Sequence, residues 1–229
     1  DFVVVRENTE DAYAGIGGIL KKGTAQEVAM QQMVYTRHGV ERVIRFAFEL
    51  ARKRNRQKKL MLVDKANAIR AQDIWTRTFA EVGEEFPDIE QDHAYVDAAC
   101  MWMIKNPESF DTVVTTNLFG DIITDLGAVL QGGMGVAASG NIHPGQVSMF
   151  ESIHGSAPKY KGKNVSCPIA AIAAIQMMLD HLGEAGASAR VEGAVESVLQ
   201  DKDVTSVSAS SGISTDEWGD RVVEKIRSL

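Results

Sequence analysis

The chain has 229 residues, of which 45% are hydrophobic and 24% are charged, the composition of an ordinary globular protein. Its net charge of −7 argues against general binding to nucleic acids or anionic membranes, because both would repel it. Cys100 and Cys167 have no CxxC spacing, so the sequence indicates neither a disulfide framework nor a zinc site. No apolar run approaches the roughly 20 residues of a membrane-spanning helix. We therefore expect small molecules or proteins as partners and a reducing cytoplasm as the location.

Short apolar runs alternate with longer helical patterns along most of the chain. The strand-like runs are, in order, FVVV, KKLMLV, DHAYV, FDTVVTTN and VSMFESI. The helix-like segments after them are, in order, RHGVERVIRFAFELARKRN, AQDIWTRTFAEVGEEF, CMWMI, GDIITDLGAVL and CPIAAIAAIQMMLDHLG. This alternation predicts an α/β fold with substantial parallel strand pairing. Two more helices are expected near 186–200 and 214–228, and Ser214 and Glu217 at the start of the last one have capping-box spacing.

Two stretches interrupt this pattern. Residues 15–36 are Gly-rich, then basic, then mixed in period, and we interpret them as an excursion, an arm used in oligomerisation. The Gly-rich stretch 131–145 is the best candidate for a crossover between two lobes. The chain opens without Met inside the apparent strand DFVVV, so we also expect it to be an N-terminally truncated fragment.

Asp121 and Asp125 are one helical turn apart in the apolar stretch NLFGDIITDLG. Carboxylates at this spacing repel each other, and the repulsion grows where water is excluded. One interpretation is that Asp121 caps the helix after Gly120 while Asp125 faces water. The other is a Mg²⁺ or Mn²⁺ site, because both follow a predicted strand and Asp97 ends another strand in AYVDAAC.

Other polar residues also follow predicted strands. Lys65 and Asn67 come after LMLV, and Lys65 could be a solvated strand end or a general base. After the first strand come Arg6, suited to a carboxylate by its fork geometry, and Tyr13, suited to proton donation. Arg6 could instead pair with Glu7 on the surface, and Tyr13 could belong to the core.

Four consecutive segments carry a family resemblance. VRENTEDAYAGI, DKANAIRAQDIWTRTF, YVDAACMWMIKNPESFDTVVTTNLFGDIITDLGA and FESIHGSAPKYKGKNVSCPIAAI resemble the signatures of the metal-dependent β-decarboxylating dehydrogenases. That family includes 3-isopropylmalate, isocitrate, homoisocitrate and tartrate dehydrogenases. The resemblance implies a two-lobed α/β/α sandwich, with a smaller dimer-forming lobe over residues 1–131 and the C-terminal part of the cofactor lobe over 132–229. The first half of that cofactor lobe would be missing.

The resemblance also implies roles for the strand-end residues. Asp121 and Asp125 would bind Mg²⁺ or Mn²⁺ together with Asp97 of the partner subunit of a homodimer. Arg6 would hold the substrate carboxylate. Lys65, also from the partner subunit, would help to remove the hydroxyl proton, and Tyr13 would protonate carbon after CO₂ leaves. Asn67 would lie near the nicotinamide and the substrate. These six carboxylate, cationic and phenolic groups are all present, which argues against a non-catalytic regulatory subunit.

The cofactor residues are expected around the HGSAP loop, because no GxGxxG motif follows a strand. The resemblance assigns cofactor contacts to eight residues: Glu151, His154, Gly155, Ser156, Ala157, Lys159, Tyr160 and Cys167. Lys159 and Tyr160 stand where NADP-using members carry Lys-Tyr, whereas NAD-using members carry Asp. The later stretch DVTSVSASSG lacks the Tyr and Arg of the NADP pocket, and Cys167 replaces the usual Asn. We expect NAD or NADP, with a slight preference for NADP.

The implied reaction is NAD(P)-dependent oxidative decarboxylation of a 2-hydroxy acid. NLFGDIITDLGA favours 3-isopropylmalate, whose oxidation belongs to leucine biosynthesis. RENTEDAYAGI and APKYKGKN favour an NADP-dependent isocitrate dehydrogenase instead, and tartrate or D-malate are further alternatives.

Overall fold

The computed structural model describes residues 1–229 and divides the chain into two compact units, Asp1–Leu126 and Gly127–Leu229. The strands are β1 (Val3–Arg6), β2 (Gly17–Leu20), β3 (Val28–Gln31), β4 (Lys59–Asp64), β5 (Glu90–Tyr95), β6 (Thr112–Thr115), β7 (Ala138–Asn141) and β8 (Met149–Ser152). The helices are α1 (Arg37–Arg54), α2 (Asp73–Gly83), α3 (Val96–Lys105), α4 (Asn117–Leu130), α5 (Ile169–His181), α6 (Ala185–Leu199) and α7 (Thr215–Ser228). The boundary between the units falls within α4. None of these helices combines the length and the apolar composition of a membrane-spanning segment.

The first unit is built on a parallel sheet with strand order β1-β6-β4-β5. Successive strand side chains point to opposite faces, so Leu60 and Leu62 pack with α1 and α2, whereas Met61 and Val63 pack with α3 and α4. All four are buried, which gives this unit two apolar cores, one on each face of the sheet. The α/β expectation with parallel pairing is confirmed here.

Helix α1 shows how local chemistry sets the element boundaries. The Thr36 side chain accepts a hydrogen bond from the Gly39 amide (3.0 Å), which satisfies an otherwise unpaired donor at the start of the helix. Three basic residues, Arg52, Lys53 and Arg54, occupy the last turn, where they complement the helix dipole. Asn55 then ends the helix in a left-handed conformation (φ 49°).

Residues 15–36, interpreted from sequence as an excursion, form an exposed antiparallel hairpin of β2 and β3. Its apolar side chains include Leu20 and Met30, each more than half exposed. The hairpin is anchored at its base, where the Asp11 amide donates to the Val34 carbonyl (2.8 Å).

The second unit packs α5, α6 and α7 around an apolar core that includes the fully buried Trp218 and Val198. The two predicted C-terminal helices are confirmed as α6 and α7, and Ser214 caps α7 by accepting from the Glu217 amide (3.2 Å). Both cysteines carry free thiols, as the sequence predicts.

The prediction that VSMFESI forms a parallel strand followed by a helix is wrong in its pairing. That segment forms β8, which pairs antiparallel with β7. Strand β7 lies in the Gly-rich stretch and was not predicted, because glycine is depleted in strands and the stretch lacks an apolar run. A short connection suffices for an antiparallel pair, whereas parallel strands need a long crossover.

Candidate active site

Arg6 ends β1 and lies along the first turns of α4. Its Nε and Nη2 atoms donate to Asn117 Oδ1 at 3.1 and 2.8 Å, and its Nη1 atom forms an ion pair with Asp121 Oδ1 at 2.8 Å. Asn117 is buried and donates from Nδ2 to the Glu10 carbonyl (3.2 Å), which fixes its amide. The guanidinium is therefore held on two sides by α4, and the proposed surface pair with Glu7 does not occur.

Gly120 permits this close approach between Arg6 and α4. A Cβ atom at position 120 would lie 2.5 Å from Arg6 Cγ and 2.9 Å from Arg6 Cβ. These atoms are close to the Arg6 backbone and cannot move aside as the tip of a flexible side chain could. A residue larger than glycine would therefore displace Arg6.

Tyr13 lies beside Arg6 in a short 3₁₀ helix, Ala12–Ala14. Its side chain is exposed, which excludes the core interpretation, and the Arg6 guanidinium lies 5.4 Å from the centre of its ring. A hydrogen bond to the Asp121 carboxylate raises the pKa of Tyr13 above its usual value, although the nearby Arg6 charge acts in the opposite direction. The phenol is thus a protonated donor at neutral pH.

Asp121 and Asp125 lie one turn apart on α4, and both are exposed. Helix α4 begins at Asn117, four residues before Asp121, so the interpretation of Asp121 as the helix cap is wrong. The like-charge repulsion of the two carboxylates is reduced by the Arg6 guanidinium on Asp121.

Lys65 and Asp97 form a second cluster. Lys65 follows β4 and its Nζ atom donates to Asp97 Oδ1 at 2.5 Å, which lowers the pKa of Asp97. The same ammonium lies 5.7 Å from the centre of the Tyr95 ring. Asn67 is exposed in the turn that follows Lys65, where the Ala68 amide donates to the Lys65 carbonyl (2.9 Å). Lys65 is therefore a paired cation and not a freely solvated strand end.

The chain gathers no group of three His, Cys, Asp or Glu residues that could hold a metal ion. Asp97 thus does not join Asp121 and Asp125 within one chain. The two exposed α4 carboxylates nevertheless provide hard oxygen donors on one helix face, and these suit Mg²⁺ or Mn²⁺. One chain supplies an incomplete donor set of the right chemistry.

The HGSAP segment borders a cavity of about 410 Å³ in the second unit. Its lining includes the predicted residues Ser156, Ala157 and Tyr160, together with Pro158, Lys161 and Ser166. The other predicted cofactor residues, Glu151, His154, Gly155, Lys159 and Cys167, lie on adjoining segments.

Local geometry shapes this loop. Ala157 adopts a left-handed conformation (φ 41°), unusual for a residue with a Cβ atom, immediately before the 3₁₀ helix Pro158–Tyr160. The Lys159 ammonium lies 4.7 Å from the centre of the Tyr160 ring, and His154 Nδ1 lies 2.9 Å from the Gly155 carbonyl. Cys167 is buried, and burial raises the pKa of its thiol.

Sequence reasoning missed two residues that organise the first unit. Asn117 holds Arg6, and Gln72 accepts a hydrogen bond from the Lys65 amide (2.7 Å). Asn117 could have been found, because it directly follows the strand FDTVVTT at the helix start. Nothing in the sequence distinguishes Gln72 from an ordinary polar residue before a helix.

Comparison with known proteins gives consistent matches. A model of the isocitrate/isopropylmalate dehydrogenase family matches residues 1–222. The 3-isopropylmalate dehydrogenase of Frankia casuarinae is 53% identical over 205 residues, covering 88% of this chain and 60% of the relative. That of Thermobifida fusca is 49% identical over 230 residues, covering 99% of this chain and 63% of the relative. The chain thus spans less than two thirds of the length of these relatives.

A solved structure is similar as well. The crystal structure of isocitrate dehydrogenase from Methylococcus capsulatus matches with a TM-score of 0.91 and 41% identity, over 99% of this chain and 67% of that chain. Sequence motifs, family model and fold agree. The chain belongs to the isocitrate/isopropylmalate dehydrogenase family.

Proposed function

We propose that the protein containing this chain catalyses the NAD(P)-dependent oxidative decarboxylation of 3-isopropylmalate to 2-oxoisocaproate in leucine biosynthesis. The observation that carries this proposal is the pair of charge-matched clusters in the first unit, Arg6–Tyr13–Asp121 and Lys65–Asp97. They combine a carboxylate-binding cation, a protonated phenol and an amine with acidic oxygen donors. The similarity to 3-isopropylmalate dehydrogenases supports this substrate. A cytoplasmic location is part of the proposal.

Each side chain receives one role in the proposed reaction. Arg6 binds a substrate carboxylate through its guanidinium, which Asn117 orients. Lys65 would help to remove the proton of the substrate hydroxyl as a neutral amine, after its ammonium, which pairs with Asp97 in the structure, has released one proton to solvent. Tyr13 donates its phenolic proton to the carbon from which CO₂ has departed. Asn67 lies two residues after Lys65 and contacts the substrate near the nicotinamide.

Two groups from outside the chain complete the chemistry. Asp121 and Asp125 would hold Mg²⁺ or Mn²⁺, and residues of the loop 151–167 would hold the nicotinamide cofactor. When bound, these supply Lewis-acid polarisation and a hydride acceptor. The third carboxylate would be the partner subunit's Asp97, because one chain does not bring Asp97 to Asp121 and Asp125. A homodimer with shared active sites is therefore part of the proposal, and Lys65 beside Asp97 would also serve the neighbouring site.

The second candidate is an NADP-dependent isocitrate dehydrogenase. It is favoured by the Lys159 ammonium, which lies beside the ring of the cavity-lining Tyr160 in the second unit, because an ammonium there suits the 2′-phosphate of NADP. The same observation supports a slight preference for NADP in the first candidate.

The test is a substrate panel with the full-length protein and Mn²⁺. Reduction of NAD and of NADP is followed with 3-isopropylmalate, isocitrate and D-malate. We expect 3-isopropylmalate to give the highest kcat/KM. Higher kcat/KM with isocitrate and NADP would select the second candidate. Asp125→Asn is the matched variant: loss of Mn²⁺-dependent turnover is expected, whereas full turnover would remove Asp125 from the metal site.

A further inference from the structure

Asp11 is a fully buried carboxylate for which the proposed reaction has no role. Its backbone adopts φ 70° and ψ −147°, a region normally left to glycine. Only surrounding interactions can hold an aspartate in this conformation. Its bonding partners therefore indicate what the strained position is for.

The two carboxylate oxygens of Asp11 join two segments of the active site. Oδ1 accepts from the Ala12 amide (2.7 Å) at the start of the 3₁₀ helix that carries Tyr13. Oδ2 accepts from the Leu118 amide (3.0 Å) in the first turn of α4, one turn before Asp121. One buried side chain thus links the 3₁₀ helix that carries Tyr13 to α4, which carries Asp121 and Asp125.

A hydrogen-bond chain continues from Asp11 to the other cluster. Tyr35 Oη donates to Asp11 Oδ1 (2.9 Å), and Gln72 Nε2 donates to Tyr35 Oη (2.8 Å). Gln72 Oε1 accepts from the Lys65 amide (2.7 Å), and Gln72 is fully buried. Burial raises the pKa of the Tyr35 phenol, so its hydroxyl remains a donor. Each of these three hydrogen bonds has a definite donor and acceptor.

We propose that Asp11, Tyr35 and Gln72 are positioning residues that hold the Lys65 backbone in a fixed relation to Tyr13 and to the first turn of α4. This rests on the proposed function, which assigns proton transfer to Lys65 and Tyr13. Because Lys65 is proposed to serve the partner's active site, the three side chains also connect the two active sites of a dimer. The bond pattern distinguishes this from general core packing, since the outer bonds of the hydrogen-bond chain end on the 3₁₀ helix of Tyr13, on α4 and on Lys65.

Tyr35→Phe, made in the full-length protein, tests the middle of the hydrogen-bond chain. The substitution removes one hydroxyl and leaves the Asp11 bonds to Ala12 and Leu118 intact. We expect amide hydrogen exchange at Lys65 to accelerate and kcat to fall roughly tenfold, with KM for the hydroxy acid unchanged, because misplaced proton-transfer groups affect turnover more than binding. Gln72→Leu should have a similar effect, and the double variant should lose little more than either single variant.

Thr78→Val is the matched control. Thr78 is fully buried in α2 and its hydroxyl has no hydrogen-bond partner. The substitution therefore removes a buried hydroxyl that is not part of the hydrogen-bond chain. Exchange at Lys65 and kcat should stay at the wild-type values. Wild-type kcat in Tyr35→Phe would overturn the positioning role, as would a KM increase without loss of kcat.

Asp11→Gly covers the case in which the first variants fold poorly. Glycine relieves the backbone strain but removes the carboxylate, so the protein should fold while exchange at Leu118 accelerates and kcat falls. Unchanged exchange and turnover would contradict the proposal. If the wild type oxidises none of the hydroxy acids, the proposed function fails, and exchange at Lys65 still decides whether the hydrogen-bond chain fixes that segment.

Discussion

The two units hold their candidate residues in different ways. In the first unit, the polar residues around the clusters are buried within hydrogen bonds, as with Asp11, Gln72 and Asn117. In the second unit, Ser188 is the buried polar residue, and the candidate cofactor residues lie mostly on a loop. Burying polar groups lowers stability unless each is satisfied, so their concentration in the first unit indicates a need for precise geometry there. In the second unit, the loop that carries the candidate cofactor residues is shaped by backbone turns, such as the left-handed Ala157 before the 3₁₀ helix Pro158–Tyr160.

The largest expected effect comes from substituting Lys65 or Tyr13 in the full-length protein. Each variant is tested as a homodimer, and the two are then combined in a mixed dimer. Lys65→Ala and Tyr13→Phe should each lower kcat by roughly 10²–10⁴-fold, because each removes a group to which the proposed function assigns proton transfer. A dimer with one variant in each subunit should regain one working site, if each site takes Tyr13 from one subunit and Lys65 from the other. Turnover of mixed dimers, purified by two affinity tags, measures this.

The mixed dimer has an internal control in the two parent homodimers, which should remain inactive after the same unmixing and remixing. Absence of recovery would mean that Lys65 and Tyr13 act within one chain. The first unit would then have to bring the two clusters to one substrate by itself.

Gly120→Ala tests the packing of Arg6 on α4 in the first unit. The new Cβ would collide with Arg6 at 2.5 Å, so the guanidinium should be displaced from Asn117 and Asp121. Loss of the proposed charged hydrogen bond from Arg6 to the substrate carboxylate should raise KM for the hydroxy acid by roughly tenfold or more. Steady-state kinetics measure KM, and circular dichroism verifies folding.

Gly193→Ala is the control for a glycine inside a helix. A Cβ there would make only an ordinary contact with Leu229, at 3.6 Å. KM should not change in this variant. An unchanged KM in Gly120→Ala would remove Arg6 from substrate binding.

Sequence predicted most of the first unit because its elements are periodic and its polar residues follow strands. Arg6, Lys65 and Asp97 were found by that signal. Their division into two clusters, one with Arg6 and one with Lys65 and Asp97, was not predicted. It depends on the strand order β1-β6-β4-β5, which places residues distant in sequence side by side. Strand β7 and the antiparallel pairing of β8 were also beyond the sequence, because glycine-rich segments carry no periodic apolar pattern. The cofactor residues came from family resemblance alone.

Lys159→Ala tests whether the loop of the second unit selects NADP. Removing the ammonium beside Tyr160 should raise KM for NADP by about tenfold and leave KM for NAD unchanged, because a solvent-exposed charged contact contributes modestly. Initial rates with both cofactors measure the ratio. Lys202→Ala, an exposed lysine in the same unit, removes the same charge and should alter neither KM. Equal KM changes for both cofactors would contradict a phosphate contact.

The smallest effect expected is on stability, in the helices and turns of the second unit. Gly219 lies inside α7, and a Cβ there would meet no atom within 4 Å. Gly219→Ala should therefore stabilise the protein by about 0.5–1 kcal/mol, because alanine loses less backbone entropy on folding. Gly212 has the same open surroundings but a φ of +85°, so Gly212→Ala should destabilise by about 1–2 kcal/mol. Thermal unfolding of both variants measures the difference. A lower Tm for Gly219→Ala than for Gly212→Ala would mean that local backbone geometry does not control stability in this unit.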